Sequence, residues 1–146
     1  MFDRYSRQEL FSPIGIEGQK KLSGKHVLII GAGALGTASA ESLARAGVGK
    51  ITIADRDYVE WSNLGRQQLY SEKDAIERIP KAVAAENRLK EINSEIDING
   101  IVTDVSTDEI VRLVSQNVDL ILDATDNFDI RLIINDASQK YRIPWI

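Results

Sequence analysis

The sequence predicts an α/β fold: a mostly parallel sheet with flanking helices, preceded by a short helical segment. Two observations carry this. From His26 onward, short apolar runs rich in β-branched residues alternate with segments whose apolar residues recur at helical spacing. The first apolar run closes on Gly31 and the second on Asp55, so each strand passes into the turn that a crossover connection needs.

The elements follow in order. Tyr5 to Leu22 mixes polar and apolar residues around a Ser12-Pro13 break and reads as two short helices, Ser6–Leu10 and Ile14–Leu22, ended by Ser23-Gly24. His26–Ile30 is continuously apolar after its first residue, the signature of a strand covered on both faces. Leu35, Ala38, Leu43 and Ala46 then recur near helical spacing until Gly47 stops the helix. Lys50–Ala54 is a second strand, followed by a polar loop from Arg56 to Asp74. Pro80 suits a first helical turn, and Ala82, Val83, Ala85, Leu89 and Ile92 mark a helix ending near Asn93. Ile96–Val102 alternates like a third strand, and Asp108–Gln116 is a short helix capped by Ser106 or Thr107. Val118–Leu122 is a fourth strand, Phe128–Tyr141 a helix, and Ile143–Ile146 a fifth strand.

With 146 residues, 43% of them hydrophobic, the chain can bury one core, and a single domain over residues 1–146 accounts for every segment. The net charge of −4 argues against a nucleic-acid partner. No cysteine is present, which excludes disulfides, thiolate metal sites and a cysteine nucleophile within these residues. The single histidine, His26, rules out a Ser-His-Asp triad and reads as a strand-edge residue. No apolar run is long enough to span a bilayer, and Met1–Tyr5 turns polar at once, unlike a signal peptide; a cytoplasmic protein with no membrane partner is expected. Lys20-Lys21 is too short a basic patch to suggest nucleic acid. Trp145 is expected in the core, Trp61 over its loop, and Asp57 and Glu60 in solvent. Because Ile143–Ile146 reads as a strand with no polar tail behind it, the sequence is expected to be the front part of a longer protein.

Gly31-Ala32-Gly33-Ala34-Leu35-Gly36 fits G-x-G-x-x-G between a strand and a helix, the context that makes the pattern a nucleotide turn in a Rossmann-like sheet. Gly31 permits the turn, Gly33 lets a phosphate or ribose approach, and Gly36 lets the helix pack closely. The helix start adds unpaired N–H groups and partial positive charge. Asp55, at the end of the second strand, stands where this fold places a carboxylate on ribose hydroxyls. Beyond it, Asn63, Arg66 and Gln67 can overhang the nucleotide, Lys81 brings a second cation at a helix start, and Asp126 can hold Mg²⁺ on the phosphates. Each residue alone is unremarkable in a polar loop. Two cations, amide donors and a metal carboxylate together are the parts of a phosphate-transfer site, which a hydride-transfer enzyme does not need.

Ser62-Asn63-Leu64-Gly65-Arg66-Gln67 resembles the S-N-L-x-R-Q signature of the MoeB/ThiF adenylating enzymes, relatives of ubiquitin-activating enzymes. Arg4-Tyr5-Ser6-Arg7-Gln8 resembles their opening R-Y-x-R-Q, Ala46-Gly47-Val48-Gly49 their A-G-V-G, and Asp123-Ala124-Thr125-Asp126-Asn127 their D-x-T-D-N. The motifs run in the family's order from Arg4 to Asn127. The resemblance implies ATP and Mg²⁺ as ligands. It also implies adenylation of the C-terminal Gly-Gly carboxylate of a ubiquitin-like sulfur-carrier protein, in a thiamine or molybdopterin pathway, with release of pyrophosphate. By motif match Asp55 holds the ribose, and Gly31, Gly33, Ala34 and Gly36 line the nucleotide. Ser62 belongs to the same loop motif; Asn63, Arg66, Gln67 and Lys81 hold the phosphates and the developing charge. Asp126 binds Mg²⁺ and Asn127 shapes the pocket. Arg7 resembles the arginine that such enzymes lend across a homodimer.

The sequence departs from the family at Ala34, where many relatives carry a second glycine, and in the length of Ser71–Ile79, so the match of Lys81 rests on the preceding proline. The further strands, paired C-x-x-C zinc sites and occasional reactive cysteine of relatives lie outside these residues. Zinc is therefore expected only in a later part. Two other readings stay open: a same-fold enzyme acting on a tRNA base or a peptide, and a non-catalytic module that binds nucleotide or a ubiquitin-like partner.

Overall fold

In the computed structural model, residues 4–146 are described; Met1–Asp3, on which part of the signal-peptide reading rests, lie outside them. Four parallel strands form one sheet: β1 (His26–Ile30), β2 (Lys50–Asp55), β3 (Asp97–Val102) and β4 (Leu120–Asp123), in the order β3-β2-β1-β4. Register is unbroken, with Ile29 opposite Ile53 and Leu122, and Ile53 opposite Gly100. Every residue of β1 is buried, as a strand paired on both edges and covered on both faces requires.

The helices divide between the two faces. On one face α3 (Ala34–Ala46) and α5 (Lys81–Ile92) cover a core of Val27, Ile29, Ile51, Ile53, Ala85 and Leu89. On the other, α6 (Thr107–Val114) and α7 (Phe128–Tyr141) cover Leu28, Ile30, Ile121 and Ile134. Alternate residues of β1 thus feed opposite layers, the period of two a pleated strand imposes. This is the α/β architecture with a Rossmann-like parallel sheet that the apolar runs predict. It is preceded by two short helices, α1 (Ser6–Glu9) and α2 (Gly15–Ser23).

Polar bonds dock the opening helices at the far ends of α3 and α5. Gln8 and Gln19 Nε2 both donate to the Ala46 carbonyl at 3.0 Å, and Asn93 Nδ2 donates to Tyr5 Oη and the Ala44 carbonyl at 2.8 and 2.7 Å. Arg4 reaches the Ile92 carbonyl at 3.0 Å and Glu95 at 3.4 Å. These are the orphan carbonyls that a helix C-terminus leaves over, so the arm is held where backbone acceptors are available.

Four expectations need correction. Ile143–Ile146 is no full strand: it meets β4 through one parallel bridge, Trp145 to Ile121, with the Ile121 N–H donating to Pro144 O at 3.0 Å and the Asp123 N–H to Ile146 O at 2.8 Å. The stretch read as polar loop contains a 3-10 turn at Trp61–Asn63, and α4 (Glu72–Ile76) begins inside it, where Ser71 and Asp74 exchange N-terminal capping bonds. Trp61 is 57% exposed rather than packed, and Trp145 is half-buried against the second layer. Among the described residues no helix is long and apolar enough to cross a membrane.

Candidate functional site

A cleft of about 550 Å³ opens beyond the carboxyl ends of the strands, where open α/β sheets bind ligands. The strand order reverses between β1 and β4, and the loops that leave these two strands form the middle of the cleft wall. Gly31, Gly33 and Ala34 follow β1, while Ala124, Thr125, Asp126 and Asn127 follow β4.

The two loops touch. Gly31 has φ +98°, and a Cβ there would lie 2.7 Å from the Ala124 carbonyl, so both conformation and space require glycine. A Cβ on Gly36 would meet the Gly31 carbonyl at 2.0 Å. Gly36 is therefore a packing residue outside the cleft lining, which seats α3 against the turn. The turn is held from two further sides. Asp55 Oδ2 accepts the Ala32 N–H at 2.7 Å and its Oδ1 accepts the Asp57 N–H at 2.7 Å. Buried Tyr70 donates its hydroxyl to the Ala32 carbonyl at 2.7 Å; burial, then the charges of Asp55, Asp74 and Asp57, push that phenol far up, so it stays a donor.

Asn63, Arg66, Gln67 and Lys81 all line the cleft. Asn63 is buried at the end of the 3-10 turn, its Oδ1 accepting the Glu60 N–H at 2.9 Å, which leaves the Nδ2 donors for a ligand. Arg66 is exposed, and its Nη1 is steadied by the Ser62 carbonyl at 2.8 Å. Ser62 itself is exposed and outside the lining; it serves through its backbone. Gln67 is 4% exposed, and its Oε1 is a buried polar atom without a partner. Lys81 opens α5 and is only 8% exposed. Among the described residues its Nζ has one partner, Asp57 Oδ2, at 3.3 Å, and its backbone N–H donates to the Asp57 carbonyl at 2.8 Å.

Asp126, which also lines the cleft, is exposed at the tip of a loop anchored at both ends. Asp123, buried at the end of β4, accepts the Thr125 N–H and Oγ1–H at 2.9 and 2.7 Å and pairs with Arg131 Nε at 2.7 Å. Burial alone would raise the Asp123 pKa, but Arg131 and Thr125 outweigh it and hold the carboxyl below its ordinary range. Asn127 caps α7, its Oδ1 accepting the Asp129 N–H at 2.9 Å.

The fold therefore gathers Gly31, Gly33, Ala34, Asp55, Asn63, Arg66, Gln67, Lys81, Asp126 and Asn127 around one cleft. Arg7 is not among its lining residues. It is exposed on α1, beside the C-terminal end of α3, whereas the cleft lies at that helix's start. The cleft also includes residues that pattern reading passed over: Arg56, Thr103, Asp104, Val105, Thr125 and Ile130. Asp57, read as solvent-facing, is 59% exposed at its side chain yet lines the cleft and pairs with Lys81. The rule that ligands sit beyond strand ends, applied to β3, would have pointed to Thr103–Val105. No group of three or more His, Cys, Asp or Glu residues able to hold a metal occurs among the described residues.

Comparison with known proteins bears on this cleft. Residues 5–146 match the ThiF family. A similar chain is the sulfur carrier protein ThiS adenylyltransferase of Bacillus subtilis (strain 168), 60% identical over 146 residues, which are 100% of this chain and 43% of the relative. Among solved structures, Escherichia coli MccB with ATP matches at TM-score 0.88 and 28% identity, over 99% of this chain and 44% of that one. The E. coli tRNA N6-threonylcarbamoyladenosine dehydratase TcdA in complex with ATP matches at TM-score 0.86 and 25% identity, over 95% and 58%.

Proposed function

The chain belongs to the ThiF family, and from that premise we propose that it is the nucleotide-binding part of an adenylyltransferase that uses ATP to activate the C-terminal Gly-Gly carboxylate of a ubiquitin-like sulfur-carrier protein. The carboxylate attacks the α-phosphorus, the bond to the bridging oxygen breaks, and pyrophosphate leaves. The observation that carries this reading is Lys81, a nearly buried ammonium with a single long ion pair among the described residues, which lines the same cleft as Arg66 and as Gln67, whose buried Oε1 has no partner among them. A buried cation so sparsely paired is costly unless an anion joins it.

The residues fit a nucleoside triphosphate. A Cβ on Gly33 would meet nothing nearer than Gln67 Nε2 at 3.9 Å, so the turn's backbone is open to a ligand. Ala54, Val105, Ile130 and Ile30 offer an apolar slot for a base, and Asp55 has lone pairs left for ribose hydroxyls. Asn63, Arg66 and Lys81 supply donors for phosphate oxygens and for the charge that develops on the leaving group. Asp126 would hold Mg²⁺, which binds one or two carboxylates together with substrate phosphates and neutralises their charge.

Identity of 60% to a ThiS adenylyltransferase supports the sulfur-carrier substrate. The likeness to MccB and TcdA supports the second reading, a peptide or a tRNA base on the same site. ATP–pyrophosphate exchange separates them: it should depend on a carrier ending in Gly-Gly, and Arg66→Ala should lower it by on the order of a hundredfold. Exchange that ignores every such carrier, or tight NAD binding in its place, would overturn the assignment.

A further inference from the structure

The cleft holds a carboxylate that the proposed reaction does not use. Asp57 contacts the ammonium of Lys81 at 3.3 Å and Arg56 Nε at 3.8 Å. Its backbone is pinned on both sides: the N–H by Asp55 Oδ1 at 2.7 Å, the carbonyl by the Lys81 N–H at 2.8 Å. Its side chain, 59% exposed, is held by these two ion contacts alone among the described residues. Lys81 is the reverse, with a side chain 10% exposed that cannot turn to water for its charge. An anionic phosphate and the Asp57 carboxylate cannot both sit on this ammonium without strong mutual repulsion.

We propose that Asp57 is the resident counter-ion of Lys81, which leaves by rotating into solvent when phosphate arrives. Its fixed backbone and exposed side chain allow this exchange with no change in the loop. Asp57 thus keeps the buried ammonium compensated between turnovers and opposes premature phosphate binding, so it sets affinity at the phosphate end of the cleft. The inference rests on the cleft being a nucleoside triphosphate site.

The test is calorimetric, with two probes: inorganic tripolyphosphate, which reports on the phosphate end, and adenosine, which reports on the base and ribose end. In EDTA, Asp57→Asn should bind tripolyphosphate roughly fivefold more tightly than the unsubstituted protein, since a competing charge is gone. Adenosine affinity should not change, and the gain should vanish when Lys81→Met is added. Equal or weaker tripolyphosphate binding, with unchanged adenosine binding, overturns the proposal. So does a loss that appears only with Mg²⁺ present, which would make Asp57 a metal ligand. Should Asp57→Asn fail to fold, ¹⁵N-lysine NMR of the unsubstituted protein decides: the Lys81 ammonium resonance must shift with tripolyphosphate and not with adenosine. If the unsubstituted protein binds neither probe, the nucleotide reading itself fails; if it binds both and the exchange signature is missing, only the counter-ion role falls.

Discussion

Single residues in this chain do unlike work from like positions. Asp55, Asp57, Asp123 and Asp126 all sit at or near a strand's carboxyl end, and their partners separate them. Asp55 and Asp123 spend oxygens on backbone N–H groups and shape the turns. Asp57 faces an ammonium, and Asp126 stands at a loop tip. His26 shows the same dependence on surroundings. Read as a strand-edge residue, it is 5% exposed, donates from Nδ1 to the Gln116 carbonyl at 3.2 Å, and accepts from Thr52 Oγ1 at Nε2 at 2.8 Å. Burial lowers its pKa from 6.5, despite opposing backbone bonds. The unfolded chain therefore binds this proton more readily than the folded one, so stability is full above pH 6.5 and falls as the pH drops from there toward the folded value. Urea midpoints followed from about pH 7.5 to about pH 5.5 should decline in the unsubstituted protein, and His26→Gln should flatten that decline. A parallel decline in both would remove His26 as its source.

Elements position these residues, and capping decides where several begin. Asn127 is both a wall of the cleft and the N-cap of α7. Asn127→Ala should cost about 1 kcal/mol in urea unfolding, and Asn127→Asp should recover most of it, because either side chain accepts the Asp129 N–H. An alanine variant as stable as the original would mean that the cap contributes nothing. Capping also explains what pattern reading passed over. The start of α4 is set by Ser71 and Asp74, a local bond pair with only five helical residues behind it, too few to show apolar periodicity. The long helices were legible because burial on a face repeats at 3.6 residues, and β1 because a strand covered on both faces is apolar throughout. Ile143–Ile146 was misread because a β-branched apolar stretch is the same whether it pairs along its length or at one bridge.

At the scale of the molecule, the opening helices and the cleft lie at opposite ends of α3. That helix has 13 residues, so its ends are roughly 20 Å apart at 1.5 Å per residue. Arg4, Tyr5 and Gln8 of the R-Y-x-R-Q stretch are bound to the body of the protein, while Arg7 is exposed. Arg7 lies too far from this chain's own cleft to serve it, so the expected role would require a second copy of the chain. If two copies share the site, Arg7→Ala should lower exchange strongly, as Arg66→Ala does by on the order of a hundredfold, and mixing the two variants should restore roughly a quarter of the activity, since random pairing leaves one intact site in each mixed dimer. Mixed dimers without recovery would exclude a shared site.

What the amino-acid sequence determined by itself is local and periodic: β1, the glycine turn, the helices with clear apolar faces, and the residue types a phosphate site requires. These follow from steric limits at Gly31 and from the repeat of burial along a strand or helix. Tertiary structure alone decided which charges meet. Asp57 and Lys81 are 24 residues apart, and Arg56 reaches Asp104 across 48. Neither pair leaves a periodic trace: Arg56 and Asp104 meet because β2 and β3 are neighbours, and Asp57 and Lys81 because the chain folds back at the Tyr58–Pro80 bridge. The same holds for exposure: a lysine at a helix start has no sequence mark that tells a solvated charge from one 8% exposed in a cleft. Desolvation, the property on which the proposed chemistry depends, exists only once the chain has folded around it.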